Sequence, residues 1–141
     1  MTALLPAMGG SNLIYGLGML ELGVTFSHTQ LVLDAEITKM VRRVVQGIDV
    51  NDDTLAVEQI KEVGPGGNFL TQQHTIDYMH EEQARAEIFD RKMRENWEKG
   101  GSKIAREHAE EKAREILNTH EPEPLGDAVK DKLKEIRDSV K

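Results

Sequence analysis

The feature that most constrains this chain is the stretch from Gly9 to Phe26, GGSNLIYGLGMLELGVTF. Glycines at 9, 10, 16, 18 and 23 punctuate an otherwise apolar run, and Glu21 is the only formally charged side chain before Asp34. Glycine-punctuated apolar backbone is used where main chain must approach other main chain or a ligand closely. A single acid in such a run needs a partner or a wet pocket, because an unpaired buried carboxylate is costly. The remainder is strongly charged: 30% of the whole chain is Asp, Glu, Lys or Arg.

The uncharged N-terminal third is too interrupted to span a bilayer. Pro6, Gly9, Gly10, Ser11 and Asn12 break it, whereas a span takes about 20 predominantly apolar residues. No basic region precedes Leu4 as a signal peptide requires. The segment therefore reads as buried protein. A net charge of −7 over 141 residues leaves no basic excess to neutralise phosphates, which argues against a nucleic-acid binder. Without cysteine there is no disulfide framework, thiolate metal site or thiol nucleophile. A cytoplasmic location fits that composition.

In chain order, Met1 to Met8 reads as the end of an apolar helix stopped by Gly9-Gly10, and Leu13 to Tyr15 as a short buried strand. Ser27 to Gln30 fits a capping box, with Phe26 and Leu31 as a hydrophobic staple. The helix that follows is expected to bury Ile37, Met40, Val41, Val44, Val45 and Ile48, and to end at Gly47. Asn51 or Asp52 caps a shorter helix through Val63, which Gly64-Pro65-Gly66-Gly67 terminates. After Phe69-Leu70 a helical region begins near Thr75. From Glu81 a charged helix is expected, with Phe89, Met93 and Trp97 forming one stripe. Ser102 should cap a helix carrying Ile104, Ala109, Ala113 and Leu117. Asp127 should cap a last one carrying Val129, Leu133, Ile136 and Val140.

Chemistry is sparse at this level. Gly16-x-Gly18 matches half of a dinucleotide fingerprint, but Gly23 falls at the wrong spacing. None of the five histidines forms a helical i, i+4 metal pair, so no metal site is expected. Tyr15 and Glu21 offer an aromatic face and a carboxylate that together suit a cationic amine. Equally, Glu21 fits an ion pair with Lys39, Arg42 or Arg43. Asn12 suits either a turn or a polar group aimed into a pocket. His74, following the glycine-rich loop, suits either a ligand contact or a loop hydrogen bond. No catalytic residue can be named from spacing.

Two blocks, GGSNLIYGLGMLELGVTFSHTQLVLDAEITKMVRR and GIDVNDDTLAVEQIKEVGPGGNFL followed by His74-Thr75, resemble the C-terminal part of the trimethylamine methyltransferase family. That family includes non-pyrrolysine relatives acting on glycine betaine and similar quaternary amines. The resemblance runs to about Leu125 and takes in Asp90-Arg91 and Trp97-x-x-Gly100. It implies a (β/α)8 barrel enzyme that moves a methyl group from a methylated amine to the Co(I) of a separate corrinoid protein, with no cofactor bound directly. It implies Asn12, Tyr15, Gly16, Gly18, Glu21 and His74 as positions bordering the substrate pocket.

A whole barrel takes about 250 residues, so the expectation is a C-terminal piece, mostly α as an isolated chain and inactive alone. Residues 1–80 would supply the last β/α elements and residues 81–141 a charged helical extension. A homo-oligomer is expected as well. The competing expectation is a non-enzymatic helical interaction or oligomerisation protein.

Overall fold

A computed structural model describes residues 1–140. The chain is mostly helical, and its order follows its caps. A short helix α1 (Leu4–Met8) ends at Gly9, as its glycine pair predicts. An extended segment then leads into a two-stranded antiparallel hairpin, β1 (Met19–Leu20) and β2 (Thr25–Phe26), in which Met19 pairs with Phe26 and Leu20 with Thr25. The turn between them is tight enough to force Glu21 and Leu22 into positive φ. This hairpin is the only sheet among the described residues. Leu13 to Tyr15, expected as a buried strand, is irregular, and Leu13 and Tyr15 are exposed. No neighbouring strand among the described residues is in place to pair with it.

Helix α2 (His28–Gln46) is the longest element. Ser27 Oγ accepts the amide of Gln30 at 3.2 Å, in keeping with the capping pattern of the sequence. The other half of the box does not form, because the Gln30 side-chain amide reaches forward to Asp34 Oδ1 at 2.7 Å. Gly47, at φ 75°, closes the helix. Asn51 caps α3 (Asp52–Leu55) in a complete capping box with Thr54. The expected single helix through Val63 is divided at Ala56, which adopts φ 51° and starts α4 (Val57–Val63), ended by Gly64. A single 3-10 turn (Phe69–Thr71) precedes α5 (Gln73–Tyr78).

The region after Glu81 departs most from expectation. It is rich in good helix formers, yet residues 83–93 are irregular and only α6 (Arg94–Lys99) is helical. Two tertiary features account for this. Glu36, on α2 and 3% exposed, accepts the backbone amides of Glu87 and Ile88. Asp90 accepts the amide of Lys92 at 2.8 Å, a turn that competes with helix. Phe89, Met93 and Trp97 therefore do not share a helical face.

Trp97 donates to the carbonyl of Lys103 at 2.8 Å, and Gly101 and Ser102 pass through positive φ. Ser102 consequently caps nothing. Helix α7 (Ala105–Thr119) starts after Ile104, whose amide is taken by Glu107 Oε2 at 2.9 Å. Asp127 lies inside the first turn of α8 (Asp127–Ser139), whose flanking position is Gly126, and makes no cap.

The one substantial helix pair among the described residues is α2 against α7. Ala109 and Ala113 face it and are buried, since small side chains let the two backbones approach. The buried apolar side chains of the described residues are Ile88, Ala109 and Ala113. Ile37, Val44, Val45 and Ile48, expected to be buried, are exposed, as is much of the N-terminal apolar segment. A folded monomer of this mass exposes about 7,300 Å², whereas this chain exposes 11952 Å². Many large apolar side chains are among the exposed residues, Val129, Leu133 and Ile136 of α8 included. No helix of the described residues is long and apolar enough to cross a membrane.

Candidate functional site

Gly18 is the pivot of the N-terminal region. It is buried at φ 75°, and its amide donates to Asp34 Oδ2 at 2.8 Å while its carbonyl accepts from the Ser27 amide at 2.8 Å. A Cβ there would lie 2.8 Å from Phe26 Cε2 and 3.0 Å from Leu31 Cβ. Only glycine permits this approach. The expected staple residues Phe26 and Leu31 thus close around Gly18.

This arrangement lays residues 14–17 along α2 and borders a cavity of about 340 Å³ that is open to solvent on one side. Tyr15, Gly16, Asp34, Ile37 and Val41 line it together with residues 1–4. Its walls are mainly apolar, and Asp34 is the only carboxylate among the lining side chains. That size and character suit a small organic ligand.

A second, more polar cavity of about 450 Å³ lies between α3 and α5, lined by Asp53, Gln59, His74, Asp77, Tyr78 and Glu81. His74 Nε2 lies 2.8 Å from the Asp53 carbonyl, and its ring lies 4.6 Å from that of Tyr78. Tyr78 Oη donates to the Asp53 carboxylate. That hydrogen bond raises the Tyr78 phenol above its ordinary value, with burial and the nearby carboxylates adding to it.

The six positions proposed from sequence therefore do not converge. Tyr15 and Gly16 line the first cavity, and Gly18 adjoins it through Asp34. His74 belongs to the second. Asn12 is exposed. Glu21 sits on the exposed hairpin turn, accepting from Thr25 Oγ1 at 2.6 Å. It makes no ion pair with Lys39, Arg42 or Arg43. Lys39 instead bridges Glu36 and Glu87 at 3.4 and 3.7 Å, and Arg43 pairs with Glu82.

Sequence patterns alone do not single out Asp34, Asp53 or Tyr78. Asp34 carries one signal, as a lone acid following the apolar run Leu31 to Leu33. Among the described residues no group of three His, Asp or Glu is placed to hold a metal ion.

The family model for trimethylamine methyltransferase matches residues 1–139. This chain belongs to the trimethylamine methyltransferase family. It is 45% identical over 136 residues to the trimethylamine methyltransferase MttB of Desulfitobacterium hafniense, covering 96% of this chain and 27% of that protein. It is 47% identical to MttB2 of Methanosarcina mazei, covering 93% of this chain and 26% of that one. A glycine betaine methyltransferase of Desulfitobacterium hafniense is 28% identical across 94% of this chain and 28% of its own length. The chain thus spans about a quarter of the length of these methyltransferases. Both cavities lie within the region that the family model covers.

Proposed function

We propose that this chain is the C-terminal part of a methyltransferase that takes a methyl group from a tri- or quaternary methylamine. The acceptor is the Co(I) of a corrinoid carried by a separate protein. The observation that carries this reading is the family match over residues 1–139 at 44–47% identity to several proteins named as trimethylamine methyltransferases. In this reading residues 1–80 complete a (β/α)8 barrel, and residues 81–141 form a helical extension that braces it and contacts neighbouring subunits. The exposed apolar surface supports such completion, because so large an excess is what a subunit leaves where other protein covers it.

In the transfer, the C–N bond breaks with its electron pair passing to nitrogen as the methyl carbon bonds to cobalt. The protein's part is to hold the amine in line and keep water away. The first cavity offers part of such a surface, being small, mainly apolar and bordered by Tyr15, whose ring face attracts an ammonium.

The test is a graft. The matching C-terminal segment of the Desulfitobacterium hafniense trimethylamine methyltransferase is replaced by this chain, and methylation of Co(I) corrinoid protein is followed by absorbance with trimethylamine as donor. Retained transfer is expected. A folded graft that transfers no methyl group from trimethylamine, tetramethylammonium or glycine betaine contradicts the reading.

A further inference from the structure

We propose that Asp34 selects the methyl donor, admitting an amine whose only charge is positive and rejecting one that also carries a carboxylate. The inference rests on the reaction proposed above. It begins from the position of Asp34 on α2, which gives the residue two roles. Oδ2 takes the Gly18 amide and Oδ1 the Gln30 side chain, at 2.8 and 2.7 Å, so it fixes the chain segment that walls the first cavity. Asp34 is also the sole acid among the mostly apolar residues that line that cavity.

Its two protein donors leave the carboxylate acceptor capacity, since a carboxylate offers about four lone-pair sites. A cation entering an apolar cavity loses hydration and needs a counter-charge nearby. Asp34 supplies one, and Tyr15 adds an aromatic surface to the same cavity. A donor that carries its own carboxylate brings a second negative charge to that place and is repelled, which is discrimination by an unfavourable contact.

Charge and scaffolding are separable by substitution. Asp34→Asn keeps an oxygen for the Gly18 amide and removes the charge, whereas Asp34→Ala removes both. The full chain, labelled with ¹⁵N, is titrated with tetramethylammonium and with glycine betaine while the Gly16 and Gly18 amides are followed. Wild type is expected to bind tetramethylammonium roughly tenfold or more tightly than glycine betaine, the size of one charge-assisted contact. Asp34→Asn should lose that preference while its Gly18 amide resonance stays in place. Equal affinities in wild type, or an undiminished preference in Asp34→Asn, overturn the proposal.

The same pair of donors is compared by kcat/KM in the grafted enzyme, where folding of the isolated chain is not required. An active graft whose donor preference ignores Asp34→Asn overturns the role of Asp34 alone. A graft without methyl transfer, beside a chain that still binds tetramethylammonium through Asp34, overturns only the reaction.

Discussion

The Glu36 carboxylate accepts the backbone amide of Ile88 at 3.4 Å, joining α2 to a segment 52 residues further along the chain. Glu87 donates its amide to the same oxygen, and Lys39 lies 3.4 Å from the other. This contact joins the glycine-rich N-terminal half to the charged C-terminal half. It also takes up two amides that a continuous helix through residues 81–93 would use itself.

Replacing Glu36 by Ala therefore has two expected consequences. Stability falls by about 2 kcal/mol, the usual range for losing a charged acceptor to buried amides. Hydrogen exchange at Glu87 and Ile88 accelerates while helical ellipticity is maintained or rises, as residues 81–93 follow their local preference. Exchange measured by mass spectrometry beside far-ultraviolet circular dichroism checks both. Unchanged protection at Ile88 would show that Glu36 does not hold the segment.

Gly18 is where a single methyl group matters most. Gly18→Ala meets the Phe26 ring, Leu31 and the Ser27 carbonyl, and it places a side chain at φ 75°. A cost of about 1–3 kcal/mol is expected from strain of this kind, with loss of the Ser27–Gly18 hydrogen bond. Gly66→Ala is the matched comparison, because its φ of 76° is as unfavourable but its Cβ would meet nothing within 4 Å. Thermal unfolding should place Gly18→Ala well below Gly66→Ala. Equal effects would mean that the packing around Gly18 contributes nothing.

The pH response has two limbs of opposite sign. The Lys92 amide holds Asp90 below the usual carboxylate range. Glu110 and Glu111 are lowered by Arg114 and Lys103 respectively. A depressed folded-state value gives stability that is present above the unfolded value and is lost as pH falls through the folded one. The Asp90 turn and the α7 ion pairs should therefore weaken below about pH 4. Tyr78 is shifted upward, so its link to Asp53 is intact below the ordinary phenol value and is lost as pH rises through its raised one, above about pH 10. Side-chain NMR titration of Asp90 and Tyr78 checks the two directions, and an Asp90 midpoint at or above the usual carboxylate value would contradict the first.

Much of the local structure is legible because it depends on neighbours in sequence. The Ser27 and Asn51 caps and the glycine stops at 9, 47 and 64 are all read from adjacent residues. What escapes is set at long range. The irregular segment before Met93 depends on Glu36, far away on α2, so a pattern of good helix formers misleads. The faces of α2 are assigned from apolar spacing, which says that a face seeks cover but not whether this stretch of chain provides it. Val44 and Val45 remain exposed for that reason, while Ala109 and Ala113 supply the close contact. The family is legible from two sequence blocks. The Asp34 carboxylate beside Gly18 is not, since nothing local marks which acid will accept a given amide.

The exposed apolar surface is, in the function proposed above, the face this chain turns to the rest of a methyltransferase. The most direct measurement mixes it with the Desulfitobacterium hafniense trimethylamine methyltransferase lacking its matching C-terminal segment, and weighs the products by size-exclusion chromatography with light scattering. A stable one-to-one complex, formed with loss of binding of a hydrophobic dye, is the expected result. A chain that stays a compact, dye-negative monomer beside an unassociated partner would contradict that assignment.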